Sequence, residues 1–194
     1  MRGNRKFGVS FVAAVVTAFG LAVAAPAYAV NLVTNGGFEA GDFSGWTLAG
    51  NTGFTGVQCP GPGATVREGN CSAFLGPVGS NGTLSQSIAL QLGRQYLLTF
   101  SFLPDGGTPS FFSVSLGGVT LFSQTNPPGS ATYRNFSFAV LATAANEALV
   151  FTFRDDPGFL FLDAVNLSIP EPASVGLLGI ALVAMFMGLR RKAQ

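Results

Sequence analysis

The sequence predicts an all-β domain built as an antiparallel sandwich, and three observations lead there. Short apolar runs alternate residue by residue with polar ones. Glycine-bearing turns punctuate them, at Asn35-Gly36-Gly37, Asp105-Gly106-Gly107, Gly117-Gly118 and Asp156-Pro157-Gly158. No run of good helix formers with caps competes, Ala142 to Ala148 being one brief candidate. The body carrying these signals, residues 30–169, has about 140 residues, which suits one domain rather than two.

Four segments show the alternation most clearly. In Gln95 to Phe102, Tyr96, Leu98, Phe100 and Phe102 share one phase while Thr99 and Ser101 take the other, so one face is buried and one wetted. Phe136, Phe138 and Val140 repeat this against Asn135 and Ser137, and Leu149, Phe151 and Phe153 continue it. In the last segment Phe159, Phe161, Val165 and Leu167 are read in one phase, which places Asp163 on the apolar face. Fifteen of the 19 Phe lie in the body, enough to fill the space between two sheets.

Charge and composition exclude several functions. Only 10% of residues are charged, and six of the ten basic ones sit in the two tails. The body keeps Arg67, Arg94, Arg134 and Arg154 against eight acids, a net charge of 4 − 8 = −4, and has no Lys. Phosphate neutralisation needs clustered cations, so nucleic acid is not the partner. The chain has no His, which removes the usual acid/base and metal-ligating residue near neutral pH.

The ends read as export signals. A basic start with Arg2, Arg5 and Lys6 precedes an apolar run from Phe7 to about Ala25, then Pro26-Ala27-Tyr28-Ala29. That order is a signal peptide spanning 1–29, with Ala27 and Ala29 as the small residues before cleavage at Val30, so the export translocon and signal peptidase are expected partners. At the other end Pro170-Glu171-Pro172 precedes an uncharged run over 173–189 that suits a short transmembrane helix, followed by Arg190, Arg191 and Lys192 on the cytoplasmic side. Pro170, Glu171 and Pro172 with the basic end resemble the PEP-CTERM sorting signal. The resemblance implies an exosortase-type membrane peptidase as partner, transient anchoring by residues 170–194, and delivery to the cell surface or extracellular matrix in association with exopolysaccharide.

The body has a second resemblance. Val30 to Glu39 with its Asn35-Gly36-Gly37-Phe38-Glu39, Gly45-Trp46, Gly93 before Tyr96 to Phe100, and Leu162 to Leu167 resemble carbohydrate-binding modules of the galactose-binding-like jelly-roll type. The expected fold is therefore a jelly-roll β-sandwich. Such modules often hold a structural calcium between the opening segment and the closing strand, which makes Glu39 and Asp163 the candidate ligands; Ala164 stands where a second acid is common. Independently, a carboxylate at Asp163 needs compensation, from Ca²⁺ or from backbone amides at a strand bend.

Cys59 and Cys71 flank residues 60–70 and, in an oxidising exterior, are expected to pair; zinc would find half its shell empty. Sugar binding calls for stacking rings and planar polar groups. Trp46, the one Trp, is expected in the core, while Tyr133, Arg134 and either Phe111 or Phe112 are the candidates for a shallow groove. A lectin-like module with one defined glycan is the alternative to a surface or matrix protein. A glycoside hydrolase would need paired acids from Glu39, Glu68, Asp105, Glu147, Asp155 and Asp156. Asp105, Asp155 and Asp156 precede Gly or Pro-Gly and read as turn residues, so a non-enzymatic role is expected.

Overall fold

The computed structural model describes residues 30–61, 63 and 65–170. The signal peptide expected over 1–29, with Ala27 and Ala29, and the span expected over 173–189, with Glu171, Pro172, Arg190 and Arg191 around it, lie outside the described residues. No helix among the described residues is long and apolar enough to cross a membrane.

Ten strands follow in chain order: β1 (Thr47–Gly50), β2 (Thr55–Gln58), β3 (Ser72–Leu75), β4 (Gly82–Ala89), β5 (Gln95–Pro104), β6 (Ser110–Leu116), β7 (Val119–Thr125), β8 (Arg134–Leu141), β9 (Asn146–Asp155) and β10 (Leu160–Ser168). They form two five-stranded sheets, β1-β4-β9-β6-β7 and β2-β3-β10-β5-β8, with every pair antiparallel. This is the predicted sandwich. Of the brief helix candidate, Ala142 to Ala148, residues 142–145 form a bend and the rest opens β9. The Glu147 carboxylate accepts the amides of Thr143 and Ala144, which satisfies the bend without a helix.

The alternating side chains meet between the sheets. Tyr96, Leu98, Phe100 and Phe102 of β5 face Leu149, Phe151 and Phe153 of β9, all buried. Phe100 is the hub: its ring centroid lies 5.2 to 6.4 Å from those of Phe112, Phe122, Phe136, Phe138 and Phe151, which come from four different strands. Edge and offset contacts of this kind add to the area each ring removes from water. Trp46 is in the core as expected, close to Phe38 and Phe151, and its indole N–H donates to the Asn35 carbonyl.

The segment before β1 fastens the sheets to each other. Asn31 accepts the Leu167 amide and donates to the Val165 carbonyl, which attaches the segment to β10. Gln86 of β4 accepts the Thr34 amide and donates to the carbonyls of Thr34 and Gly45. Gly36 lies against the Val165 carbonyl, where a β-carbon would collide.

One phase assignment needs correcting. β10 carries a bulge: Asp163 pairs with Ser101 but Asn166 pairs with Thr99, so one extra residue is accommodated, with Ala164 at φ 52°. The bulge switches the inward face. Leu160 and Leu162 point in before it, and Val165 and Leu167 after it. Phe159 and Phe161 therefore sit on the outer surface, where Phe159 packs against Phe74 and Phe161.

Truncating the hub should be costly. Phe100→Ala is expected to destabilise the domain by about 3–5 kcal/mol, read as a fall in the urea midpoint, whereas the same change at the outer Phe161 should cost less than half as much.

Candidate functional site

The β2–β3 hairpin brings Gln58 opposite Ser72, so Cys59 and Cys71 flank its open end. They form the expected disulfide, with Cα atoms 4.1 Å apart. The loop between them folds over the outer face of the sheet that contains β10, β5 and β8, and two carboxylates hold it there. Asp163, fully buried at the bulge, accepts the amides of Arg67 at 2.8 Å and Glu68 at 3.0 Å through Oδ2, and that of Ala164 at 2.6 Å through Oδ1. Glu39 accepts the amides of Asn70 at 2.9 Å and Cys71 at 3.0 Å. Between these two pairs of amides the chain must turn close over Glu39. Gly69, at φ +67°, makes that turn, and a β-carbon there would strike the carboxylate.

The rest of the loop is tied through the Thr65 carbonyl, which accepts the Gln58 side-chain amide, the Ser72 hydroxyl and the Tyr133 hydroxyl at 3.0 Å. Burial, helped by the charge of Asp163, pushes the Tyr133 hydroxyl up to about 12, so it stays a donor. Burial also raises the carboxyl of Asp163, against the pull of its three amide donors, and the charge of Glu39 adds to the rise. Glu39 moves the other way, held down by the amides of Cys71 and Asn70.

The held loop becomes one wall of a groove. Three adjoining hollows run along it. The first, about 570 Å³, lies between Thr65, Arg67, Thr132, Tyr133 and Asn135. The second, about 330 Å³, is bounded by Arg67, Glu68, Thr99, Ser101, Asn135, Ser137 and Asn166. The third, about 380 Å³, reaches Asn31, Gly37, Glu39 and Asn166. Arg67 and Asn135 join the first to the second, and Glu68 and Asn166 join the second to the third. Ser101 donates to Asn135 Oδ1 at 2.9 Å, which fixes the carboxamide by its oxygen and leaves its NH₂ to donate elsewhere. The floor thus offers hydroxyls, and the walls offer a guanidinium, a carboxylate and two carboxamides.

The sequence-derived site residues separate here. Glu39 and Asp163 come together beside Gly37, whose β-position lies 4.0 Å from Glu39 Oε1 and 3.9 Å from Asp163 Oδ1. Among the described residues no three His, Cys, Asp or Glu side chains converge, so an ion there would need backbone and water oxygens. Tyr133 lines the groove. Arg134 does not; it donates to the Pro128 carbonyl in the β7–β8 connection. Phe112 is corrected: it has no exposed surface and stacks on Phe102 at 4.0 Å, because β6 points Phe112, Val114 and Leu116 inward. Its neighbour Phe111 takes the outer position. Sequence reasoning missed Arg67, Asn135 and Asn166. The alternation put Asn135 on a wetted face, but only the bulge and the fastened loop assemble the three around one groove.

With this geometry in place, the chain can be compared with known proteins. Residues 168–192 match the PEP-CTERM protein-sorting motif, which implies processing by an exosortase-type peptidase and export with transient anchoring. No curated protein matches the chain. The fold is that of jelly-roll carbohydrate-binding modules. TmCBM61, solved in complex with β-1,4-galactotriose, is similar at TM-score 0.60 and 18% identity, over 73% of this chain and 99% of that one. A cyclase from Fischerella sp. TAU is similar at TM-score 0.54 and 17% identity, over 75% and 100%. The enzymatically active domain of tailspike protein 4 of bacteriophage CBA120 is similar at TM-score 0.54 and 19% identity, over 72% of this chain and 21% of that one. Binding modules and enzymes thus share the architecture, and at these identities the likeness establishes the fold alone.

Removing the carboxylate under the loop should loosen it. Asp163→Ala is expected to destabilise the protein by about 3 kcal/mol, because three amides lose their acceptor. Hydrogen exchange at Arg67 and Glu68 should rise to the rate of an open loop, while Asp163→Asn, which keeps one acceptor oxygen, falls between.

Proposed function

We propose that the sandwich is a non-catalytic module that holds extracellular polysaccharide at the cell surface, and that the groove beside the disulfide loop is where the sugar chain lies. The observation that carries this reading is the groove's lining: Arg67, Glu68, Asn135 and Asn166 around a floor of Thr99, Ser101 and Ser137. Planar amide, guanidinium and carboxylate groups match the paired hydroxyls of a sugar ring, and an open trough accepts a chain at any point along its length. Tyr133 adds a ring at one end. The export motif supports the reading, since export would bring the groove to the side of the membrane on which an extracellular polysaccharide lies. The likeness to TmCBM61, with its bound galactotriose, supports it at the level of fold.

The test is affinity electrophoresis of the full-length protein in detergent through gels containing the host's own exopolysaccharide or β-1,4-galactan. Retardation is expected, with Arg67→Ala and Asn135→Ala each weakening binding about tenfold and Arg134→Ala leaving it unchanged. Equal mobility with and without polysaccharide, or variants that bind as well as the wild type, would overturn the reading.

A calcium ion between Glu39 and Asp163 belongs to the same proposal. Two carboxylates gathered beside Gly37, next to an exposed carbonyl-bearing loop, suit a hard cation, which would add to the hold on residues 67–71. Calcium is therefore expected to slow amide exchange over residues 67–71, and Glu39→Gln to abolish that response. An unchanged exchange pattern on adding calcium or chelator would leave the amides as the sole compensation.

A further inference from the structure

A second buried carboxylate is treated very differently by its surroundings. Asp155, the last residue of β9, is fully buried like Asp163, yet neither of its carboxylate oxygens has a hydrogen-bond donor. The nearby charges do not help. Arg154 is paired with Asp156, whose other oxygen accepts the Gly79 amide. Asp105 lies within hydrogen-bonding reach, but while both acids are ionised they have no proton to share. Burial, then the charge of Asp105, with Asp156 adding to it, push the Asp155 carboxyl up to about 7. An ionised group so placed carries a desolvation cost that nothing among the described residues offsets.

The oxygens crowd together on one side of Gly107. A β-carbon placed there would lie 2.5 Å from Asp155 Oδ1, 3.1 Å from Asp105 Oδ1 and 3.2 Å from the Pro157 carbonyl oxygen. The three oxygens come from β9, the β5–β6 turn and the β9–β10 turn. Asp105 is exposed, so its side of the cluster meets solvent and water can complete the shell. Its carboxylate is already aimed, with Oδ1 accepting the Gly107 amide and Oδ2 the Phe159 amide.

We infer that Asp155, Asp105 and the Pro157 carbonyl form a calcium-binding site, separate from the groove, that locks the β5–β6 and β9–β10 turns together. The donor set is all oxygen, two carboxylates and a carbonyl, which selects a hard cation over zinc or copper. Calcium tolerates an irregular set completed by water, whereas magnesium demands a near-ideal octahedron. The location matters for the fold. Four connections meet there: Pro77 accepts the Asp155 amide, Pro109 the Asp156 amide, and Pro104 the Ser130 amide. An ion at Asp155 would fasten that end of the sandwich in the way the amides around Asp163 fasten the loop.

The test is hydrogen exchange of the full-length protein in detergent, with about 1 mM calcium, in the range that extracellular modules bind, or with chelator. In the wild type calcium is expected to slow exchange about tenfold over residues 104–110 and 155–160. Asp155→Asn, uncharged and nearly isosteric, should lose that response while keeping any response over residues 67–71, which reads the other pair of acids. Gly107→Ala is a second route, since its methyl group would press against the oxygens and displace them, and it should also abolish the response. A wild type whose two turns ignore calcium, or an Asp155→Asn protein that responds as the wild type does, would overturn the site and leave a proton shared by the two acids.

Discussion

The contact between Asp163 and the amides above it organises this molecule. A buried charge in a strand is costly, and here the cost is met by main-chain donors from a loop nearly a hundred residues earlier in the chain. The loop is thereby drawn across an outer sheet face that would otherwise be flat. The disulfide closes the loop's base and Glu39 holds its far end. Removing any one of these leaves a hairpin loop; together they make a wall. The groove is thus a secondary product of satisfying one carboxylate.

The two fully buried aspartates show how the same fold handles like problems in unlike ways. Asp163 is surrounded by N–H groups that a bulge and a hairpin loop direct inward. Asp155 ends a regular strand and faces another acid and a carbonyl. In the first case the chain supplies its own compensation, and in the second the surroundings present only acceptors. The body's net charge of −4, with Arg154 already paired, offers no nearby cation to change that among the described residues.

Much of the architecture was legible in the sequence because the alternation is regular where the strands are long. β5, β8 and β9 are readable from Phe and Leu positions; β5 and β9 bury the residues expected, and β8 turns Val140 into the core with Phe136 and Phe138 half-buried against it. β1, β2 and β3, at four residues each, are too short for a period to be counted. β4 hides its pattern because an inward position is Gln86, which is buried to bind the segment before β1. The bulge in β10 has no local signal, so Phe159 and Phe161 were read on the wrong face. Glu39 and Asp163 could be paired from the resemblance of the opening and closing segments. Arg67, Asn135 and Asn166 could not, because their meeting depends on the loop lying down. Asp155 was masked by its neighbours: Asp-Asp-Pro-Gly looks like a turn, and only the register shows that the first of the two acids belongs to a core strand.

The way the chain enters and leaves the domain has a mechanical consequence. β10 ends at Ser168, immediately before the matched sorting segment, and the Leu32 amide donates to Leu167 beside it. β10 is not an edge strand: β3 flanks it on one side and β5 on the other. A pull on the tail therefore loads β10 along its length, so that the hydrogen bonds to β5 and to the Asn31 clamp bear the force in shear and must fail together. An edge strand pulled the same way would peel one bond at a time. A load applied from this end is thus taken up by the strand best placed to resist extraction.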